Sequence, residues 1–252
     1  MIDLHSHVLP GIDDGAATID GSLDILRAAQ ADGIARIAAT PHVRHDWPTT
    51  PDRMEQLVAQ LQDAARASDI AVEVLPGGEI DLAYADSLGD DDLHRFGLGG
   101  NPNLLLLEFP YIGWPVGLPG LVSRLRARGY STVLAHPERN TEAQDHPERL
   151  RELVDAGVWV QLTAASVDGR LGRRNAAAAR ALLDAELAHL IASDAHAPAI
   201  RAIGMGAAAE AVGNAQLAWW LTHEVPEALL AGEEPPQRPG RPKGRLRLPR
   251  RH

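Results

Sequence analysis

The chain of 252 residues has no cysteine. That absence excludes disulfides, thiolate metal sites and every cysteine nucleophile, the cysteine-dependent phosphatases included. Any metal must be held by His, Asp and Glu, a donor set suited to zinc, manganese, iron or magnesium. No apolar run is long enough to span a bilayer. The N-terminus has neither the basic nor the apolar region of a signal peptide, so the chain is expected to be soluble and cytoplasmic. No glycine-rich dinucleotide fingerprint or Walker loop follows any expected strand, which weakens nucleotide-binding readings.

What is present suits one α/β-barrel-sized domain with a sizeable core, since 45% of the residues are hydrophobic. The net charge of −10 is unevenly spread: residues 233–252 carry seven Arg or Lys against two Glu, leaving 17 basic and 32 acidic residues in the body, residues 1–232. A body of −15 is a poor general binder of nucleic acid, so no nucleic-acid partner is expected. The last twenty residues are Pro-, Gly- and Arg-rich without an apolar period, and are predicted to be a disordered tail over 233–252.

Apolar, β-rich runs alternate with helical patterns along the body. Strands are expected over 2–4, 34–40, 70–75, 104–107, 131–135, 158–162 and 187–192. Helices are expected over 19–32, from Thr50-Pro51 to about 67, and over 119–128, 147–156, 173–186, 203–212 and 215–230. Residues 81–103 are less regular. Seven strands alternating with helices argue for a parallel sheet, and their number and the chain length favour a closed barrel over an open doubly wound sheet.

The chemistry collects where these strands end. His5 and His7 close the first strand, on one side of it because alternate residues of a strand share a face. His42 follows the second strand, Glu79 the third, Glu108 the fourth and His136 the fifth, while Asp194 and His196 follow the seventh. Asp14 lies in the first loop. In a parallel barrel all these ends meet on one face. One buried His or Glu is easily satisfied by a hydrogen bond, but nine such groups in one bowl are not satisfied without cations.

Taken together, Asp3-Leu4-His5-Ser6-His7, Asp13-Asp14-Gly15, Ala39-Thr40-Pro41-His42, Gly78-Glu79-Ile80, Leu107-Glu108-Phe109-Pro110, Ala135-His136-Pro137-Glu138-Arg139 and Ser193-Asp194-Ala195-His196 resemble the polymerase-and-histidinol-phosphatase (PHP) superfamily. Within it they resemble the manganese-dependent tyrosine-protein phosphatases of bacterial capsule and exopolysaccharide loci, over residues 1 to about 230. Glu108, where the histidinol-phosphate branch resembles a histidine, points to the tyrosine-phosphatase side, as does His136-Pro137-Glu138-Arg139.

The resemblance implies a single-domain, distorted (β/α)7 TIM-like barrel, the PHP fold, with three divalent ions, Mn2+ first and Fe, Zn or Mg as alternatives. His5, His7, Glu79 and Asp194 would hold the first ion, Glu79 would bridge to a second completed by Glu108 and His136, and Asp14, His42 and His196 would hold a third. It implies hydrolysis of phosphotyrosine by a metal-activated hydroxide. The substrate would be the Tyr-rich tail of a kinase controlling polysaccharide export. Family tails bear on oligomer assembly, so a homo-oligomer is among the expected partners. Arg139 and Arg201, on ligand-bearing loops, are candidates for a phosphate clamp. No general acid stands out, and phenolate is a fair leaving group.

Asp13 reads as a turn residue or a support for a ligand, with an exchange of roles with Asp14 as the alternative, and Arg44 and His45 as a solvated loop in preference to a lining of the site's mouth. Tyr111 and Trp114 are candidates for an aromatic wall or for packing. His94, His146, His189 and His223 lack a ligand context. Two rival functions stand beside the tyrosine phosphatase: a small-molecule phosphoesterase of the histidinol-phosphatase type, and a non-catalytic metal-stabilised scaffold.

Overall fold

A computed structural model describes residues 1–196 and 201–240. Ten strands appear in chain order: β1 (Ile2–Ser6), β2 (Arg36–Ala39), β3 (His42–Arg44), β4 (Trp47–Pro48), β5 (Glu73–Leu75), β6 (Glu79–Asp81), β7 (Leu104–Glu108), β8 (Ser131–Ala135), β9 (Trp159–Thr163) and β10 (Leu190–Ala192). They form a sheet of order β1-β2-β5 and another of order β10-β9-β8-β7-β6-β3-β4. Every pairing is parallel except β3 with β4, a short hairpin.

The two sheets are halves of one seven-stranded barrel. β2 and β3 are a single strand interrupted at Thr40-Pro41, and β5 and β6 are one interrupted at Pro76-Gly77-Gly78. Proline has no N–H for the ladder, so the hydrogen bonding restarts beyond each break. The N–H of Thr40 donates to the Ser6 carbonyl at 2.8 Å, and that of Glu79 to the Pro41 carbonyl at 3.0 Å, carrying the ladder across. On the other side Asp194 N donates to the His5 carbonyl and His7 N to the Ala195 carbonyl, both at 2.8 Å, closing the barrel between β1 and β10. The expected barrel of seven parallel strands is therefore present.

The buried core is mostly aliphatic, with Phe96, Phe109, Tyr130 and Trp220 among it. β7 is buried at all five positions, as suits a strand covered on both sides. The helix Ile19–Ala31 turns Leu23, Ile25, Leu26 and Ala29 inward and is capped by Thr18, whose hydroxyl accepts from Gly21 N. The helix Pro51–Ala67 starts as expected, with Thr50 as N-cap and Pro51 in its first turn. Residues 81–103 form two short helices, Leu82–Ala85 and Asp90–Arg95, and a 3-10 turn at Leu98–Gly100. Residues 215–231 run as one helix with a π turn at Trp220–Glu224. No described helix is long and apolar enough to cross a membrane.

The expected tail departs from the structure over its first eight residues. Residues 233–240 are not loose: Pro236 accepts a hydrogen bond from the Trp220 indole N–H at 2.7 Å, and the Arg238 guanidinium lies over the Trp220 ring and donates to the carbonyls of Leu183 and Ala188. Extended Pro-rich chain needs no ladder of its own when its polar groups find fixed partners. Residues 241–252 lie outside the described residues.

Candidate metal centre

Eight of the nine expected ligands are buried at one rim of the barrel; Asp14, on the β1 loop, is 45% exposed. His5 lies within β1 and His7 just beyond it. Their Nε2 atoms face each other at 3.3 Å, as two residues on one side of a strand should. His42 opens β3 and Glu79 opens β6, where they are register partners across the ladder. Both were expected at the ends of strands; the proline breaks make them the starts of the resumed ones. Glu108 ends β7. His136 and Asp194 follow β8 and β10 with left-handed backbones, φ 40° and 51°. Left-handed backbone is costly for residues with a Cβ, and such strain gathers at functional positions.

Four groupings of donor atoms emerge: His7, Asp14, His42 and His196; His5, His7 and Asp194; His5, Glu79 and His136; and His42, Glu79 and Glu108. Glu79 is the hub. One of its oxygens lies 2.9 Å from His136 Nε2 and 3.4 Å from His5 Nε2, the other 3.0 Å from His42 Nδ1 and 3.3 Å from His7 Nε2. Asp14 Oδ1 lies 3.3 Å from His42 Nε2 and 3.2 Å from His196 Nε2. Glu108 and His136, which the resemblance places on one ion, fall in separate groupings that share Glu79.

The outer nitrogens of three of the five imidazoles are already committed. His5 Nδ1 binds the Gln161 side-chain oxygen at 3.0 Å, His7 Nδ1 the Asp13 carboxylate at 2.7 Å, and His196 Nδ1 the Asp194 carbonyl at 2.9 Å. Each acceptor fixes the proton on Nδ1, so each Nε2 is left to take positive charge from inside the bowl. His42 Nδ1 and Glu79 Oε2 are 3.0 Å apart yet form no hydrogen bond, and both are buried without one. Nitrogens and carboxylates that crowd together unbonded are the donor set of divalent cations.

The electrostatics agree. Burial acts to lower the His7 pKa, but the Asp13 and Glu79 carboxylates outweigh it and hold the imidazole up to about 10. Burial opposes and Asp14 and Glu79 support His42, which rises to about 9. His136 goes the other way: burial pushes it down to about 4 despite Glu79. Glu108 is raised by burial and then by the Glu79 charge. The carboxylates of the bowl thus hold protons on His7 and His42, and metal binding displaces protons from just such sites.

Both predicted arginines reach the cluster. Arg139 Nη1 lies 2.5 Å from one Asp194 oxygen and Arg201 Nη2 3.1 Å from the other; Arg201 also contacts His196. Arg44 corrects the solvated-loop expectation, because its Nη1 bonds both oxygens of Glu108 at 3.1 and 3.3 Å. His45 is exposed, as expected. Asp13 supports rather than joins the bowl: besides His7 it accepts from the backbone N–H of His42 and of Gly15.

Gln161 was not anticipated. Its sequence signal is a lone amide inside an otherwise apolar strand, β9. Tyr111 stacks on His136, with ring centroids 5.6 Å apart, and under Arg139; Trp114 instead packs on Phe109 and Arg149. His189 sits against Trp159 and Trp220, away from the bowl.

A closed parallel barrel with five histidines and four carboxylates gathered at one rim defines a metal-binding barrel protein. The chain belongs to the capsular polysaccharide synthesis CpsB/CapC family, whose model matches residues 1–218. It is 36% identical over 197 residues to the tyrosine-protein phosphatase YwqE of Bacillus subtilis, covering 78% of this chain and 77% of that one. It is 27% identical over 202 residues to the tyrosine-protein phosphatase CpsB of Streptococcus agalactiae serotype III, covering 78% and 83%. A solved structure from work on YwqE of Bacillus subtilis and CpsB of Streptococcus pneumoniae, described as metal-dependent tyrosine phosphatases, superposes with a TM-score of 0.82 at 33% identity. It covers 96% of this chain and 100% of that one.

Proposed function

We propose that the chain is a metal-dependent protein-tyrosine phosphatase, a phosphoric monoester hydrolase. It acts in the cytoplasm on a tyrosine kinase of capsular or exopolysaccharide synthesis, at that kinase's tyrosine-rich tail. The observation that carries the reading is the convergence of the His5 and His7 Nε2 atoms on Glu79 and Asp194, with both rings braced from behind. The similarity to YwqE and CpsB supports it.

In this reading His5, His7, Glu79 and Asp194 would hold one ion, Glu79, Glu108 and His136 a second, and Asp14, His42 and His196 a third. Manganese is the first candidate, then iron, zinc and magnesium. Bound divalent ions acidify water and neutralise phosphoryl oxygens. The chain's own residues do the rest. Gln161 and Asp13 orient His5 and His7. Arg139 and Arg201, poised on opposite oxygens of Asp194, present guanidinium donors that clamp phosphoryl oxygens as charge builds on them. The Tyr111 ring beside His136 forms part of the bowl's wall.

The test is a manganese-loaded preparation assayed for metal content and for hydrolysis of a phosphotyrosyl peptide against histidinol phosphate. Two or more ions per chain and preference for the peptide are expected, with turnover abolished in a folded His136→Ala variant. A wide preference for histidinol phosphate, fewer than two ions per chain, or an active His136→Ala protein would overturn the reading.

A further inference from the structure

Among the described residues four large apolar side chains are exposed: Tyr111 at 40%, Ile112 at 82%, Val116 at 86% and Trp219 at 54%. Three of them share one loop, residues 110–117, between β7 and the helix Leu118–Ala127. The loop begins at the bowl, since Tyr111 stacks on His136 and lies 4.6 Å from the Arg139 guanidinium. Apolar exposure concentrated beside a site marks a binding surface rather than scatter.

The loop backbone is held in place. Asn140 Nδ2 donates to the carbonyls of Pro110 and Gly113 at 2.7 and 2.8 Å, and Thr141 N donates to that of Tyr111 at 3.1 Å. The Asn140 side-chain oxygen meanwhile caps the helix Thr141–Asp145. Trp114 is wedged edge-on against buried Phe109 and under Arg149. The segment that carries Arg139 therefore also fixes the frame from which Ile112 and Val116 project.

We propose that residues 110–117 form a preorganised apolar lip that binds the polypeptide flanking the phosphotyrosine, selecting neighbours that are apolar rather than acidic; this rests on the phosphatase reading above. A small phosphoester held wholly within the bowl makes no use of side chains standing outside it. A phosphotyrosine within a chain brings its flanking residues over the rim, where Ile112 and Val116 stand. Charge supports the same choice, because the two arginines at the lip are already paired, Arg139 with Asp194 and Arg149 with Glu142, and the body as a whole carries −15. A fixed backbone lowers the ordering cost of that contact.

The experiment compares the intact wild-type protein with an Ile112→Ser/Val116→Ser double variant, both loaded with manganese. Three substrates are used: a phosphotyrosyl peptide with Leu and Val flanks, the same peptide with Glu flanks, and free phosphotyrosine. The wild type should favour the apolar peptide. The variant should lose about tenfold in kcat/KM on it, through KM, and less than about twofold on free phosphotyrosine. Fluorescence anisotropy with a labelled apolar peptide carrying a non-hydrolysable phosphotyrosine analogue should show the same loss. Equal changes on all substrates, or none, would overturn the lip. So would a variant that changes only the sedimentation behaviour, which would make the loop a contact between copies of this chain. If the wild type hydrolyses no phosphotyrosine at all, the phosphatase reading fails, and the anisotropy measurement still decides the lip.

Discussion

Gln161, on β9, receives the Nδ1–H of His5, on β1, at 3.0 Å across the barrel. The same oxygen accepts from the His136 backbone N–H at 3.2 Å, so one amide orients two of the proposed ligands. Gln161→Leu keeps the volume and removes the acceptor. Divalent-metal affinity, read by titration of the metal-free protein, should fall about 10–100-fold while the circular dichroism spectrum is kept. Unchanged affinity would mean that the ring needs no brace.

Gly15 lies against His7. A Cβ there would fall 2.1 Å from the His7 carbonyl oxygen and 2.5 Å from its Cβ, both immovable without backbone shift. Gly15→Ala should cost about 1–3 kcal/mol, or a few degrees in Tm, and reduce metal binding with it. Gly21→Ala is the control. It sits in a helix with nothing closer than 3.6 Å, and should be neutral or stabilising by about 0.5–1 kcal/mol. A Gly15→Ala protein as stable and metal-competent as this control would refute the close-packing account.

Arg44 supplies the cation next to Glu108 on the protein side. Arg44→Met leaves that largely buried carboxylate beside Glu79 without its two hydrogen bonds. Arg44 is partly exposed, so the metal-free protein should lose only about 1–2 kcal/mol, or about 2–8 °C in Tm. Saturating manganese should narrow the difference, because a bound cation takes over the same charge. Differential scanning calorimetry with and without metal tells the two cases apart; a deficit that metal leaves untouched would place Arg44 outside the centre.

The pH test uses a group remote from the bowl. Burial first, then Arg238 and Arg151, push His189 down to about 4 from 6.5, and its Nδ1 accepts from Val160 N at 3.1 Å. Below 6.5 the unfolded chain takes up a proton that the folded chain refuses until about 4. Stability from this group is therefore full above pH 6.5 and is lost as pH falls from 6.5 to 4, by about 2–3 kcal/mol. His189→Asn, which keeps an acceptor near the Nδ1 position, should flatten that part of the profile of urea midpoints. An identical slope in both proteins would exclude His189 as its source.

These side chains also show where sequence reading stops. The seven-strand alternation and the gathering of the nine candidate ligands at one rim were legible, because apolar runs punctuated by turn residues and motifs such as Asp3-Leu4-His5-Ser6-His7 are local. The breaks at Pro41 and at 76–78 were not. His42 and Glu79 were expected at strand ends, and whether a ladder stops at a proline or resumes with a new neighbour depends on the next strand. Arg44 and Gln161 were read past because their partners lie 64 and 156 residues away. Residues 233–240 have the composition of a tail, and only the position of Trp220 turns them into a strap.

The pairing of His42 with Glu79 carries a mechanical consequence. Two donors on adjacent strands of a hydrogen-bonded ladder stand at the inter-strand spacing, about 4.8 Å, which the barrel does not relax. His5 and His7 are clamped from behind, whereas Asp14 rides on a solvent-facing turn. The bowl therefore has a stiff floor and a compliant edge. In the proposed centre a cation of larger radius would be accommodated at the turn that carries Asp14, and discrimination between ions of different size would be set at the floor.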